Sequence, residues 1–248
     1  MTRLAAPAKL TWYLEVTGQR ADGYHELRSE MRTLALADTL EISEGDAVEY
    51  CGEIDGVDRL NHESSTLVHR ALALVNRRAH VTVNKCIPLG GGLGGGSADV
   101  AAILRWANYT DLEGASRLGG DVPFCLIGGR AVVTGIGEGI EVLRPEPTTV
   151  TLLLPPFPID TAACYRAFDA MWAEGWRPHG RNHLEEPAVR VNPDLGAVLA
   201  AARAQQIHHV LEVFDMAALV GAHGNALHIL LQGGGDHVVH RTVVPQVD

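Results

Sequence analysis

The residues best suited to chemistry lie together in Pro88-Leu89-Gly90-Gly91-Gly92-Leu93-Gly94-Gly95-Gly96-Ser97-Ala98-Asp99. Six of the seven positions from Gly90 to Gly96 are glycine, which inside a helix would cost about 1 kcal/mol each relative to alanine. Val81 and Val83 alternate just before this stretch, and the apolar run from Ala98 to Trp106 follows it. The glycines are therefore expected to join a strand to the start of a helix. There they permit positive φ and let several backbone N–H groups converge on one anion, and a helix opening at Ser97 adds its amino-terminal dipole. The chemistry this suits is phosphate binding. The alternative is a flexible linker, which would normally carry serines and other polar residues and would not separate an alternating strand from an apolar helix. The stretch is not a Walker A loop, because GK[ST] is absent. Nor is it a dinucleotide-binding fingerprint, since Asp111 comes too early and Asp121 sits in another context.

Three other places could contribute. Of the 20 basic residues only Lys9 and Lys85 are lysines, and among so many arginines a lysine can mark a need for a compact ammonium; codon bias would produce the same count. Asp22-Gly23 is a strong turn signal followed by Tyr24-His25. An aromatic ring plus an imidazole can sandwich and hydrogen-bond a pyrimidine, although a surface turn with incidental aromatic residues reads the same way. Asp121 follows Gly119-Gly120 and precedes Val122-Pro123-Phe124, a context that by itself suits a turn or capping aspartate.

The glycine stretch resembles the phosphate loop of the GHMP kinases, Pro-x-x-x-Gly-Leu-x-Ser-Ser-Ala, with Pro88, Gly92, Leu93 and Gly95-Gly96-Ser97-Ala98 in place. Its doubled form, GGGLGGGSA, is similar to that of the diphosphocytidyl-methylerythritol kinases rather than the mevalonate or homoserine kinases. Ala6-Pro7-Ala8-Lys9-Leu10 with Gly18 to His25 resembles the amino-terminal signature of that family, and Gly119 to Phe124 resembles its Gly-Ala-Asp-Val-Pro-Phe segment. The similarity runs over about residues 4 to 190.

The resemblance implies an α+β, two-domain GHMP kinase fold, with an S5-like domain over 1–147 and a ferredoxin-like domain over 148–248. It implies an ATP-dependent kinase, using ATP with Mg2+, that phosphorylates the 2-hydroxyl of 4-diphosphocytidyl-2-C-methyl-D-erythritol for isoprenoid synthesis. Asp121 would be the general base and Lys9 its partner. Pro88, Gly90, Gly91, Gly92, Leu93, Gly94, Gly95, Gly96 and Ser97 would hold the nucleotide phosphates, and Thr11, Tyr24 and His25 the substrate, with the cytosine on Tyr24 and His25. The rival readings are another GHMP kinase, acting on homoserine, mevalonate or a sugar, and a catalytically impaired nucleotide-binding homologue.

This sequence departs from the family pattern at several points. Thr11 stands where Asn is frequent, Ser65-Thr66-Leu67 replaces Asp-Asn-Leu, and Cys86 replaces a common arginine. A late Leu-Ser-Gly-Ser-Gly loop has as its nearest counterpart Leu231-Gln232-Gly233-Gly234-Gly235-Asp236, without either serine. Six of the twelve histidines fall between His208 and His240.

The elements expected to position these residues are mixed. Strands are read at Lys9–Val16, at two runs within Met31–Ile42 separated by Ala37-Asp38, and at His80–Asn84, Arg130–Thr134 and Val150–Leu154. Helices are read at Ser65–Arg77, where Leu67, Val68, Ala71, Leu72 and Val75 share a face, and at Ser97–Trp106, Leu112–Leu118, Thr161–Trp172 and Asp194–Arg203. Without a regular βα alternation the class is α+β rather than a doubly wound sheet. Leu143 to Thr149, with Pro145 and Pro147, is the expected boundary between two halves.

Composition limits the partners. At 248 residues and 46% apolar content the chain can build its core without metal or disulfide staples. The four cysteines lie far apart with no CxxC pair, so free thiols are expected. A net charge of −10 argues against general nucleic-acid binding, which needs clustered Lys and Arg, but leaves room for one nucleotide held by backbone N–H groups. Met1 to Leu10 lacks the apolar core of a signal peptide, and the longest apolar stretch, Val150 to Ile159, is broken by three prolines. The expectation is a cytoplasmic enzyme with small-molecule partners and no membrane contact.

Overall fold

A computed structural model describes residues 1–147, 149–153, 155, 157, 159–204, 225–230 and 240–243. The chain opens with a long antiparallel hairpin of β1 (Thr2–Gln19) and β2 (His25–Ser43). The reversal is made by Asp22-Gly23: Gly23 has φ +88°, its N–H donates to the Arg20 carbonyl at 2.9 Å, and the Tyr24 N–H donates to Asp22 Oδ1 at 3.2 Å. The strand expected at Lys9–Val16 is thus the inner part of a longer one. Its register shifts three times, the first between Pro7, which faces Ala37, and Lys9, which faces Thr33. Such bulges bend a strand and re-aim its side chains.

The two strands expected within Met31–Ile42 are one. β2 runs through Ala37-Asp38 without a turn, because the Asp38 carboxylate is fully buried and serves a different purpose. It accepts the N–H groups of Cys86 at 2.5 Å and Ile87 at 2.8 Å, and the Lys85 ammonium. A carboxylate satisfied by donors from a neighbouring segment has no need to make the local turn its residue type favours.

β3 (Ala47–Cys51), α1 (Val57–Leu60) and α2 (Leu67–Leu74) lead to β4 (His80–Asn84), which pairs parallel with β3. α2 is shorter than expected. It is closed by Asn76 in the left-handed region, φ +49°, with the Arg77 N–H reaching back to the Leu72 carbonyl at 3.0 Å, a helix stop that asparagine tolerates well. α3 (Gly95–Trp106) begins two residues before Ser97, inside the glycine stretch. α4 (Leu112–Ser116), α5 (Val122–Ile127), β5 (Arg130–Gly135) and β6 (Gly139–Val142) follow, then β7 (Thr149–Leu153), α6 (Thr161–Ala173), α7 (Glu185–Val191), α8 (Asp194–Ala204), β8 (Asn225–Leu230) and β9 (His240–Val243). β3, α1, α5, β6, α7, β8 and β9 are additions to the elements read from sequence; all span seven residues or fewer, too few for periodicity to register.

The first sheet is organised on β2. One edge carries β1 along its length, while the other is divided between β5, opposite Leu27–Arg32, and β4, opposite Thr39–Ser43. The second sheet is antiparallel, in the order β7-β8-β9. α3 is the central helix: every residue from Ala98 to Leu104 is buried, as expected of a helix surrounded by other elements. Its Val100, Ile103 and Leu104 join Leu10, Leu34, Leu40, Val81, Val83 and Phe124 in the main core, to which Val150 and Leu152 of β7 also belong. A separate cluster of Ile159, Cys164, Ala188, Leu195 and Leu199 joins α6, α7 and α8. A third, built on Leu14, Phe168 and Leu184 with Leu27 and Tyr165 against it, fastens α6 to the opening hairpin. The architecture is α+β, as expected. All four cysteines are free thiols.

Candidate active site

The glycine stretch forms a loop between β4 and α3. Gly90, Gly92 and Gly94 take φ of +66°, +64° and +66°, an alternation with ordinary backbone of the kind that can aim backbone N–H groups at an anion. Leu93 is its anchor, 1% exposed, and its carbonyl accepts the Lys9 N–H at 2.9 Å. Gly94 caps α3, and a Cβ there would lie 2.7 Å from Lys9 Cγ. The glycine is required twice over, by its backbone and by the lysine packed on it. Pro88 enters the loop and accepts from the Gly91 N–H at 3.4 Å. Gly95, Gly96 and Ser97 form the first turn of α3.

Beneath the loop lies a buried ionic cluster. Lys85, 2% exposed, donates to Asp38 and, at 2.7 Å, to Oδ2 of Asp99. Lys85 precedes the loop and Asp99 follows it in α3, so one ammonium ties both ends to β2. Burial acts to lower the Lys85 pKa, but Asp99 and Asp38 outweigh it and hold the ammonium above the usual lysine range. Asp99 is pushed up to about 7 by burial, with the Lys85 charge opposing and the Asp38 charge adding to the rise. Its Oδ1 is buried without a hydrogen-bond partner among the described residues. Two carboxylates sharing one ammonium in a dry site cannot both ionise cheaply.

Lys9 and Asp121, 112 residues apart in sequence, meet at 3.0 Å between Nζ and Oδ2. Lys9 is 3% exposed, on the bulged part of β1. Asp121 precedes α5, where Pro123 sits in the first turn, and it is only partly covered. A cleft of about 240 Å³ opens at Asp121. Its walls are Ser97 of α3, Leu27, Ser29 and Met31 of β2, and Val133 to Gly137 of β5 and the turn beyond it. Thr11 is buried on β1 opposite Met31.

His25 continues the β2 row Leu27, Ser29, Met31, since alternate strand residues share a face. It stacks on Tyr165 of α6, centroids 4.8 Å apart and planes at 21°, and meets the edge of Phe168 at 5.8 Å. Its Nε2 lies 2.8 Å from Oδ1 of Asp169. Tyr24 is 64% exposed at the turn. From His25 to Met31 the strand covers about 20 Å at 3.3–3.4 Å per residue.

Sequence reasoning singled out Lys9, Asp121 and the loop, and the structure brings these together with Ser97. His25 lies at the far end of the same strand face, and Tyr24 is exposed at the turn beside it. Asp38, Asp99, Tyr165 and Asp169 were missed as contributors. The scarcity of lysine pointed to Lys85 but not to its partners. Thr66, one of the departures from the family pattern, caps α2: its N–H donates to His69 Nδ1 at 3.2 Å and its hydroxyl accepts from Tyr50 at 2.7 Å. The late stretch Leu231 to Asp236 lies outside the described residues.

Residues 66–129 match the family described as GHMP kinases N terminal domain. The 4-diphosphocytidyl-2-C-methyl-D-erythritol kinase of Desulfitobacterium hafniense is 39% identical over 223 residues, covering 78% of this chain and 77% of that one. The protein of the same name from Heliobacterium modesticaldum is 38% identical over 184 residues, 68% of this chain. There the match spans only 58% of the relative's length. A crystal structure of 4-(cytidine 5'-diphospho)-2C-methyl-D-erythritol kinase superposes with a TM-score of 0.66 at 27% identity, over 94% of this chain and 100% of the other. Mevalonate pyrophosphate decarboxylase from Streptococcus pyogenes, 12% identical with a TM-score of 0.54, shares the fold.

A glycine loop leading into a buried central helix, on an α+β frame with this family match, defines the GHMP kinase class. Within that class, identity of 39% across more than three quarters of both chains is decisive. The chain belongs to the 4-diphosphocytidyl-2-C-methyl-D-erythritol kinase family.

Proposed function

We propose that this protein transfers the γ-phosphoryl group of ATP, taken up as its magnesium complex, to the 2-hydroxyl of 4-diphosphocytidyl-2-C-methyl-D-erythritol. The observation that carries the reading is the Lys9–Asp121 contact of 3.0 Å, at a cleft whose wall includes Ser97 from the end of the glycine loop. The converging N–H groups of Gly90 to Ser97 hold the nucleotide phosphates. Asp121 takes the proton of the acceptor hydroxyl as that oxygen bonds to the γ-phosphorus. The bond from phosphorus to the β–γ bridging oxygen breaks, ADP leaves, and the proton passes from Asp121 to solvent. Lys9 orients Asp121 and offsets negative charge gathering on the phosphoryl oxygens, the positioning and electrostatic work that dominates phosphoryl transfer.

The β2 face gives the substrate its direction. Tyr24 and His25 take the cytosine, with Tyr165 behind the imidazole, and about 20 Å of strand suits an extended diphosphate and five-carbon polyol reaching to Asp121. Thr11 supports the acceptor end from β1. We assign the loop and the catalytic pair to a lobe over 1–147 and the remainder to a second lobe over 148–248, working as a cytoplasmic enzyme.

The experiment is ATP consumption with the cytidine diphosphate substrate alongside homoserine, mevalonate and galactose, with phosphorus NMR locating the new phosphoester. Turnover with the cytidine substrate and a 2-phosphate product are expected. Consumption with another acceptor alone would transfer the protein to a different GHMP activity.

A further inference from the structure

The contact between His25 and Asp169 settles which nitrogen of the imidazole carries the proton. A neutral imidazole has one N–H and one lone pair, whereas a carboxylate can only accept. With Nε2 at 2.8 Å from Oδ1 of Asp169, the proton of the neutral ring sits on Nε2 and the lone pair on Nδ1. The ring is also held in place by its stack on Tyr165 and the edge of Phe168, and its side chain is 9% exposed. Among the described residues Nδ1 makes no hydrogen bond of its own. It is an acceptor kept ready at the end of the cleft face.

Cytosine and uracil differ at carbon 4, where cytosine carries an amine that donates and uracil a carbonyl that accepts. A lone pair on Nδ1 attracts the first and repels the second. We propose that Asp169 is a positioning residue that fixes the His25 tautomer and so makes the site select cytosine over uracil. This inference rests on the reading of Tyr24-His25 as the pyrimidine site. Asp169 acts here through the imidazole, much as outer partners of other functional histidines set which ring nitrogen is protonated.

The test compares the cytidine substrate with its uridine counterpart in the wild type, Asp169→Ala and Asp169→Asn. The wild type should prefer the cytidine compound. In Asp169→Ala the imidazole is free to present an N–H instead, so the ratio of kcat/KM values should narrow by about tenfold or more, the scale of one hydrogen bond. The change should fall on KM for the pyrimidine substrate, with kcat and KM for ATP little moved. Asp169→Asn retains an oxygen that can accept from Nε2, and should keep most of the discrimination. Nitrogen-15 spectra of the wild type should show the Nε2–H tautomer of His25, a readout independent of how well the variants fold. A ratio unchanged within twofold in an active Asp169→Ala enzyme, or a His25 protonated only on Nδ1, would overturn the proposal. A wild type that accepts neither pyrimidine compound would overturn the reading of the site and this inference with it, a result distinct from an unchanged ratio.

Discussion

At the scale of single residues, the site depends on charges placed where isolated they would be costly. Lys9 is buried yet has Asp121 at 3.0 Å, and in the proposed reaction the pair would give a base for the hydroxyl and a cation for the phosphoryl group in one contact. Asp121→Asn keeps the shape and removes the base. Turnover should fall by about 10²–10⁴-fold, the usual range for general-base catalysis, while ATP affinity from equilibrium titration changes little. Asp99 makes a different prediction. Burial pushes its pKa up to about 7, above an unfolded value of about 3.9. The folded state therefore holds this proton more tightly than the unfolded chain. The stability the group contributes is fully present below about pH 4 and is lost as pH rises to about 7. Asp99→Asn, neutral throughout, should gain in melting temperature relative to the wild type on going from pH 5 to pH 8. A constant difference across that range would mean that Asp99 is ionised throughout.

At the scale of elements, the glycine loop is held from both sides. Below it, Lys85 joins Asp38 and Asp99 across the loop's two ends. Above it, Lys9 packs on Gly94. Gly94→Ala meets two obstacles: a left-handed φ of +66° and a Cβ 2.7 Å from Lys9 Cγ. The first costs about 1–2 kcal/mol for a residue with a side chain, and the second displaces Lys9 from Asp121. The expected outcome is a folded protein with a lower melting temperature and turnover at least tenfold down, about 1.4 kcal/mol in the barrier. Circular dichroism and steady-state kinetics on the same preparation check it. Gly175→Ala, at a positive-φ position with nothing within 4 Å of the added carbon, is the control that carries the backbone strain without the displaced lysine.

At the scale of the whole molecule, the opening hairpin is the shared support. Its inner part carries Lys9 and Thr11, and its turn end carries Tyr24 and His25. α6 packs there through Leu14, Phe168 and Leu184, with backbone bonds from Leu14 to Arg181 and from His183 to Leu14, both 2.9 Å. Phe168 is buried between these parts and touches the His25 ring. Truncating a buried phenylalanine costs about 3–5 kcal/mol. Phe168→Ala should therefore lower the melting temperature and raise KM for the cytidine substrate, with KM for ATP close to that of the wild type. A rise in both KM values would indicate that the two ends of the hairpin are not independent.

Much of this protein was determined locally. Glycines at Gly90 to Gly96 between an alternating strand and an apolar run define a loop and a helix start, and His80–Asn84 forms the strand that its two valines predict. Asp22-Gly23 makes its turn because only adjacent residues are involved. The α+β class follows from the same short-range patterns. Asp38 behaves otherwise. Its residue type suggests a break in β2, yet donors supplied by Lys85, Cys86 and Ile87, nearly 50 positions away, keep it in the strand. Asp169, 144 positions from His25, is invisible to any window along the chain, as are Tyr165 and the buried oxygen of Asp99. Periodicity and turn chemistry act over a few residues, so the sequence alone determines elements and the loop between them. Which carboxylate meets which cation, and which nitrogen of an imidazole is left to accept, depends on desolvation and packing that exist only once distant segments are in contact.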